Sequence, residues 1–296
     1  MIVLREVTKR FGARVAVDRV SFEVPAGRVT GLLGPNGAGK ATTLDLICGL
    51  SQPTEGQVLL GGSSSATPSS GRAVGFSPVI GPGDSARDGR EYLVRAARST
   101  GVSACRVEDV VELAGLGRAA ADRVGDYCRG TRRRLRIAAA LLSDARVLVL
   151  REPTEGLDPE GVAWARGLFR TLAAQGRVVL VTTHRLNEVT DLTEHVIVMR
   201  RGRVIADMST ADVIARSSDG PVRIRTPQAG LLADRLISDG FHVDRPSADE
   251  LRVRGGTVEE VGELAHRFGV LVHELTMELA SFERAYAELA TAGPDA

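Results

Sequence analysis

The chain has 296 residues, 43% of them hydrophobic and 25% charged, a composition that suits a globular protein of one large and one small domain, or two mid-sized ones. A formal net charge of +1 gives no general case for a nucleic-acid or anionic-membrane partner. No apolar run approaches the roughly 18 residues that a bilayer crossing needs, and charges interrupt the start, MIVLREVTKRF, where a signal peptide carries its apolar stretch.

Short strand-like runs alternate with longer helical ones from the start to about residue 215. Residues 2–7, 19–24 and 29–33 read as strands, the last running into a glycine-rich turn, and 42–50 as a helix. Residues 74–142 read as a mostly helical inserted arm, with 81–89, rich in Gly, Pro, Ser and Asp, as the loop that leads into it. The helical subdomain is thus expected at about 75–142, and 132–142 is its clearest helix. The apolar runs 147–150 and 178–181 fit strands covered on both faces, and 159–174 fits a helix between them. The expected fold is therefore α/β with a largely parallel sheet.

A boundary is expected at 217–221, which divides the chain into domains at 1–216 and 221–296. Beyond it come strand 222–225, helix 231–240, strand 251–254, helix 258–268, strand 270–275 and helix 281–290, a small α+β domain rich in βαβ connections. Only 61–71 is of low complexity, and no internal repeat is evident. Three cysteines, Cys48, Cys105 and Cys128, are odd in number and lack metal-ligand spacing, which suits a reducing cytosol. Lys9 and Lys40 are the only lysines; every other basic residue is arginine, so Lys40 stands out.

Gly34-Pro35-Asn36-Gly37-Ala38-Gly39-Lys40-Ala41 lies between an expected strand and an expected helix. Glycines let backbone N–H groups converge on phosphate oxygens, a helix N-terminus favours the negative charge, and the lysine reaches the β- and γ-phosphates. The strict phosphate-loop pattern then requires Ser or Thr, whose hydroxyl ligates Mg²⁺; this chain has Ala41, followed by Thr42 and Thr43. A plain glycine-rich turn is the alternative.

Further runs follow in order: Tyr127-Cys128-Arg129-Gly130-Thr131 before an arginine-rich helix, Val147-Leu-Val-Leu-Arg151-Glu152-Pro153, Gly156-Leu-Asp158-Pro159, and Val181-Thr-Thr-His184. With the phosphate loop, this series resembles the ABC ATPase family over about residues 1–215. The resemblance implies a P-loop NTPase core that binds ATP. Gly34 to Thr43 would hold the phosphates, Phe11 would stack on adenine, and Arg151 and Asp158 would lie at the nucleotide. Glu152 would polarise the attacking water, with His184 as the switch histidine. Cys128, Arg129, Gly130 and Thr131 form the signature that would face ATP in an opposite subunit. The tail, with residues 270–276 and the helix 281–289, looks like the extension of ABC subunits that serve drug and antibiotic exporters with ABC-2-type permeases.

Four departures stand beside these matches. The family's Walker B ends in Asp-Glu, and this chain has Arg151-Glu152; the Q-loop glutamine aligns with Val79; the signature serine is Cys128 and a neighbouring glycine is Arg129. Ala41, Val79 and Arg151 all fall where the family serves its Mg²⁺, so no residue is assigned as a metal ligand. Thr42 is no substitute for the missing hydroxyl, because adjacent helical side chains point about 100° apart. An arginine beside the phosphates can pair with their oxygens in bidentate fashion and stand in part for the metal; the alternative is that it swings to solvent. Hydrolysis is expected to be slow.

The resemblance implies a partner permease on a separate chain and a second ATP-binding subunit, identical or different. It also implies a place on the cytoplasmic face of the membrane and no nucleic-acid partner. A regulatory or scaffold subunit without meaningful ATPase activity is the rival reading. ABC ATPases of DNA repair or translation fit poorly, because the chain has neither a long coiled-coil insertion nor a second cassette.

Overall fold

The computed structural model describes residues 1–65, 74–78, 80–184, 186–216, 220–277 and 282–291. By packing, the chain divides into one unit over Met1–Thr210 and another over Ala211–Ala292. That division comes earlier in the chain than the expected break at 217–221, of which 217–219 lie outside the described residues. No described helix is long and apolar enough to cross a membrane.

In the first unit, β1 (Ile2–Phe11), β2 (Arg14–Val24), β4 (Glu55–Leu60) and β5 (Ser63–Ser64) form an antiparallel sheet in the order β2-β1-β4-β5. The second sheet contains β3 (Val29–Leu33), β6 (Val74–Phe76), β7 (Val147–Arg151), β8 (Val178–Thr182), β9 (His195–Arg200) and β10 (Arg203–Ser209), in the order β10-β9-β3-β8-β7-β6. It is parallel except for the β9–β10 pair. Its central strands are apolar throughout because each face is covered. Leu148, Leu150, Val179 and Val181 face one cluster that includes Leu93, Leu135 and Phe169. Their neighbours Val147, Val149, Val178 and Leu180 face a second cluster with Leu44, Ile47, Phe22 and Met199. The period-2 alternation of a strand thus feeds two cores from one run of residues.

The helices of this unit are α1 (Lys40–Ile47), α2 (Gly89–Thr100), α3 (Arg106–Leu113), α4 (Arg129–Leu141), α5 (Pro159–Ala174) and α6 (Leu186–Leu192). The helical arm is shorter than the expected 75–142. Val74–Phe76 is a strand of the core sheet, with Val74 opposite Val147 and Phe76 opposite Val149. The loop at 81–89 contains a 3₁₀ turn, Pro82–Asp84, anchored by buried Asp84, which accepts from the Gly81 N–H at 3.0 Å and pairs with Arg95 at 2.8 Å. Helix α2 then starts where Asp88 caps the Glu91 N–H.

In the second unit, α7 (Thr210–Arg216) runs across the division. It is followed by β11 (Val222–Arg225), α8 (Ala229–Ser238), β12 (His242–Asp244), β13 (Glu250–Arg254), α9 (Val258–Arg267), β14 (Glu274–Met277) and α10 (Phe282–Thr291). The sheet order β12-β13-β11-β14, antiparallel throughout, is the split βαβ arrangement. Val222, Ile224, Leu251 and Val253 pack on Leu232, Leu236, Val261 and Ala265 of α8 and α9. A capping box between Thr257 and Glu260 starts α9. The strand expected at 270–275 is displaced: the ladder with β11 forms only from Glu274, opposite Arg225.

Candidate functional site

The phosphate loop follows β3 at the parallel sheet's edge of strand ends. Gly34 (φ +147°) leaves the strand where a Cβ would lie 2.3 Å from the Met199 carbonyl oxygen, so no larger residue fits. Gly39 (φ +104°) turns the chain into α1 without any side-chain cap. The first amides of α1 are therefore left for an anion. The loop's curl is held by the Ala38 N–H on the Pro35 carbonyl at 3.1 Å and the Gly202 N–H on the Ala38 carbonyl at 3.0 Å.

Around it lies a cavity of about 490 Å³. Its lining takes Asn36, Gly37, Ala38, Gly39, Lys40, Ala41 and Thr42 from the loop and α1, and Arg151 and Glu152 from the end of β7. Sequence reasoning missed Arg14, Val15, Ala16, Leu44, Thr182, Arg201 and Gly202, which complete it. Thr182 had a signal, since it stands in the run that leads to His184. Arg14–Ala16 come from the start of β2 and Arg201–Gly202 from the β9–β10 turn, and neither carries a signal.

Lys40 donates to the carbonyls of Gly34 and Pro35, the latter at 3.1 Å. Burial pushes the Lys40 pKa down, and the charge of Glu152 pulls it partly back. Glu152 is held in the left-handed region at φ +48°, a strained position for a side-chain-bearing residue. Its N–H donates to the carbonyl and hydroxyl of Thr182 at 3.1 and 3.2 Å. Its Oε2 lies 2.9 Å from His184 Nδ1 and accepts from the His184 N–H at 3.3 Å. An acidic acceptor oriented by a histidine therefore stands at the cavity that holds Lys40.

Arg151 neither swings to solvent nor stands free at the phosphates. Its Nη2 donates to Asp45 Oδ1 at 3.1 Å and to the Ala41 carbonyl at 3.4 Å, so the guanidinium lies along the first turn of α1. The Arg151 carbonyl accepts in turn from Nη1 of Arg133 at 3.2 Å. Arg133, its side chain 9% exposed, also donates to the Glu155 carbonyl at 3.0 Å and to Glu155 Oε2 at 2.6 Å. This fork ties α4 to the segment between β7 and α5.

Several expected site residues stand elsewhere. Phe11 is 55% exposed beneath Lys9 Nζ, 5.1 Å from the ring centroid, and does not line the cavity. Gly34 and Pro35 act through their carbonyls on Lys40, behind the lining. Thr43 points into the core, where its hydroxyl donates to the Gly39 carbonyl at 3.1 Å and lies 3.6 Å from Met199 Sδ. Asp158 caps α5 by accepting from the Gly161 N–H at 2.8 Å. Cys128, Arg129, Gly130 and Thr131 start α4 away from the cavity, packed against Gly156, whose added Cβ would meet that of Arg129 at 3.0 Å. Val79 lies outside the described residues.

These residues do not fit a divalent cation. Ala41 has no hydroxyl, and Arg151 adds positive charge where a ligand carboxylate would serve.

The cysteines differ in a testable way. Cys128 is the exposed cap of α4, and hydrogen bonds from the Thr131 hydroxyl and N–H hold its pKa below the ordinary thiol range. Cys48 is pushed up to about 12 by burial and by Asp45. Iodoacetamide at pH 8, followed by peptide mass spectrometry, is expected to alkylate Cys128 quickly and to leave Cys48 intact in the folded protein. Equal labelling of the two would contradict these environments.

Residues 17–155 match the ABC transporter family, and residues 220–283 match a domain of unknown function, DUF8746. The Nod factor export ATP-binding protein I of Burkholderia lata is 38% identical over 255 residues, which cover 82% of this chain and 82% of that protein. An uncharacterized ABC transporter ATP-binding protein of Bacillus subtilis, YhcH, is 34% identical over 295 residues, 98% of this chain and 95% of its own. Among solved structures, an ATP-binding subunit of an ABC transporter superposes with a TM-score of 0.65 at 22% identity, covering 90% of this chain and 99% of that one. The dimeric structure of a bacterial ABC transporter cassette gives 0.63 at 24% identity over 71% of this chain and 98% of that one. These two carry the fold, and the sequence relatives carry the family: this chain belongs to the ABC transporter family as an ATP-binding subunit.

Proposed function

We propose that this subunit couples ATP binding, with slow turnover at its own phosphate loop, to export through a permease on a separate chain. It works as one of a pair of ATP-binding subunits held at the inner face of the membrane. The observation that carries the reading is the meeting of Lys40 with the Glu152–His184 pair at one cavity, while the positions on the metal's side are Ala41 and Arg151. Export is supported by the naming of the Burkholderia relatives and by the tail's likeness to exporter subunits. The Arg151–Asp45 ion pair favours a second reading, in which this chain holds ATP without hydrolysing it beside an intact partner ATPase.

Steady-state hydrolysis by the purified protein with Mg²⁺, beside the double variant Ala41→Ser/Arg151→Asp, tests the turnover. The expected result is near-background activity in the native chain and Mg²⁺-dependent activity in the double variant. Brisk turnover by the native chain would mean that the altered residues do not slow the chemistry. Reconstitution with a candidate permease in vesicles tests export: ATP that leaves substrate flux unchanged would reject that part.

A further inference from the structure

We propose that Asp45 is a built-in counter-anion for Arg151, and that the cavity takes a nucleotide polyphosphate without a divalent cation by exchanging this carboxylate for phosphate oxygens on the same guanidinium. The inference rests on the reading of the cavity as a nucleotide site. It starts from the misfit noted above: where a cation-binding hydroxyl and carboxylate would be needed, the chain has a methyl group and a permanent cation. Arginine keeps its charge at any working pH and presents donors in a fixed fork that matches phosphate.

Three observations say that this cation is held but not consumed. Its Nη2 spans Ala41 and Asp45, residues one helical turn apart on α1, which sets the guanidinium beside the turn that starts the phosphate-loop helix. Its Nε is buried and has no hydrogen-bond partner, so the fork has an unmet donor. Its side chain is 33% exposed and lines the cavity, and Asp45 is 39% exposed, so the carboxylate can be taken up by water when released.

The surroundings offer Arg151 no rival anion on α1. The Cys48 thiol, close to both charges, is pushed up to about 12 and stays neutral. Lys40 is engaged in the same manner, on the carbonyls of Gly34 and Pro35. Lys40 and Arg151, which line the cavity along with Arg14 and Arg201, thus both rest on protein acceptors of lower charge than a polyphosphate, and a partly exposed ion pair is weak enough to be exchanged. Asp45 sets how much of the attraction of Arg151 reaches the ligand. With Asp45 present, phosphate must displace it; without Asp45, the whole attraction of Arg151 goes to the ligand.

The test is a fluorescence titration of the full chain with MANT-ATP, in Mg²⁺ and in EDTA, for the native protein, Lys40→Ala, Asp45→Asn, Arg151→Met and the Asp45→Asn/Arg151→Met double variant. Thermal melting verifies that each is folded, and Asp45→Ser serves if Asp45→Asn is not. The native affinity should change by no more than about twofold between Mg²⁺ and EDTA, and Asp45→Asn should tighten binding about fivefold in EDTA. The decisive reading is the coupling. Arg151→Met should weaken binding about twofold when Asp45 is present but about tenfold when it is Asn, because only the unpaired arginine is fully available. Equal penalties in both backgrounds would reduce Asp45 to a bystander charge, and a tenfold loss in EDTA would show that a metal is required; either overturns the proposal. Absence of MANT-ATP binding in every protein, or full binding by Lys40→Ala, would instead overturn the nucleotide reading of the cavity and this inference with it.

Discussion

Replacing Lys40 by alanine is expected to lower ATP affinity by about two orders of magnitude, the loss of one or two charge-assisted hydrogen bonds in a partly desolvated site. The side chain is the sole lysine at the cavity and is half-buried there, so its ammonium is poorly solvated before any phosphate arrives. Burial already holds its pKa down, and a polyphosphate would favour the charged form. Lys40→Arg should recover little, because a longer planar fork does not fit the close approach of the Gly34 and Pro35 carbonyls. Stability should change modestly, since Lys40 is only half-buried and Pro35 is exposed. Isothermal titration calorimetry measures the affinity, and a loss of less than threefold would remove Lys40 from the phosphate site.

Gly75→Ala is expected to cost the fold about 3 kcal/mol or more. Gly75 sits in β6, where α4 passes so close that an added Cβ would lie 2.3 Å from the Ala140 carbonyl oxygen and 3.0 Å from Leu148 Cδ1. The backbone oxygen cannot turn aside, so either β6 leaves its ladder with β7 or α4 lifts from the sheet. Gly167→Ala is the matched control with the opposite sign. It lies inside α5, where an added Cβ meets nothing within 4 Å. There alanine should stabilise by about 0.5–1 kcal/mol, through its better helix propensity. Denaturant melts of both variants measure the contrast, and a Gly75→Ala protein as stable as its parent would refute the close-packing argument.

The legible parts of the fold are those in which local chemistry and burial agree. Residues 159–174 are a helix over the expected bounds because Asp158 supplies a cap and Pro159 a suitable first residue. The apolar runs at 147–150 and 178–181 could only be strands covered on two faces, and each extends one residue further, to Arg151 and Thr182. The β9–β10 hairpin has no counterpart among the expected strands, although His195–Arg200 is largely apolar. Its place beside β3 depends on a pairing between Thr30 and His195 that no local pattern encodes. Residues 270–273 had the composition of a strand but form no ladder, apart from the His273 N–H on the Arg225 carbonyl at 2.8 Å.

At the site, the phosphate loop was legible because its glycines and lysine are contiguous. The partner of Arg151 was not, since Asp45 lies 106 positions away and carries no motif. Phe11 is expected at adenine from the family resemblance alone, and the hairpin that bears it places Val15 and Ala16 on the cavity.

The fork of Arg133 has a mechanical consequence. One guanidinium grips the last carbonyl of β7 and both the carbonyl and carboxylate of Glu155, while its own backbone belongs to α4. Turning α4 about its first residue would either shear the ion pair of buried Arg133 with half-exposed Glu155 or pull on the peptide that carries Arg151. The helix capped by Cys128 and the strand end that carries Arg151 are therefore joined through one guanidinium, so a rotation of α4 that kept this fork intact would have to carry the Arg151 peptide with it.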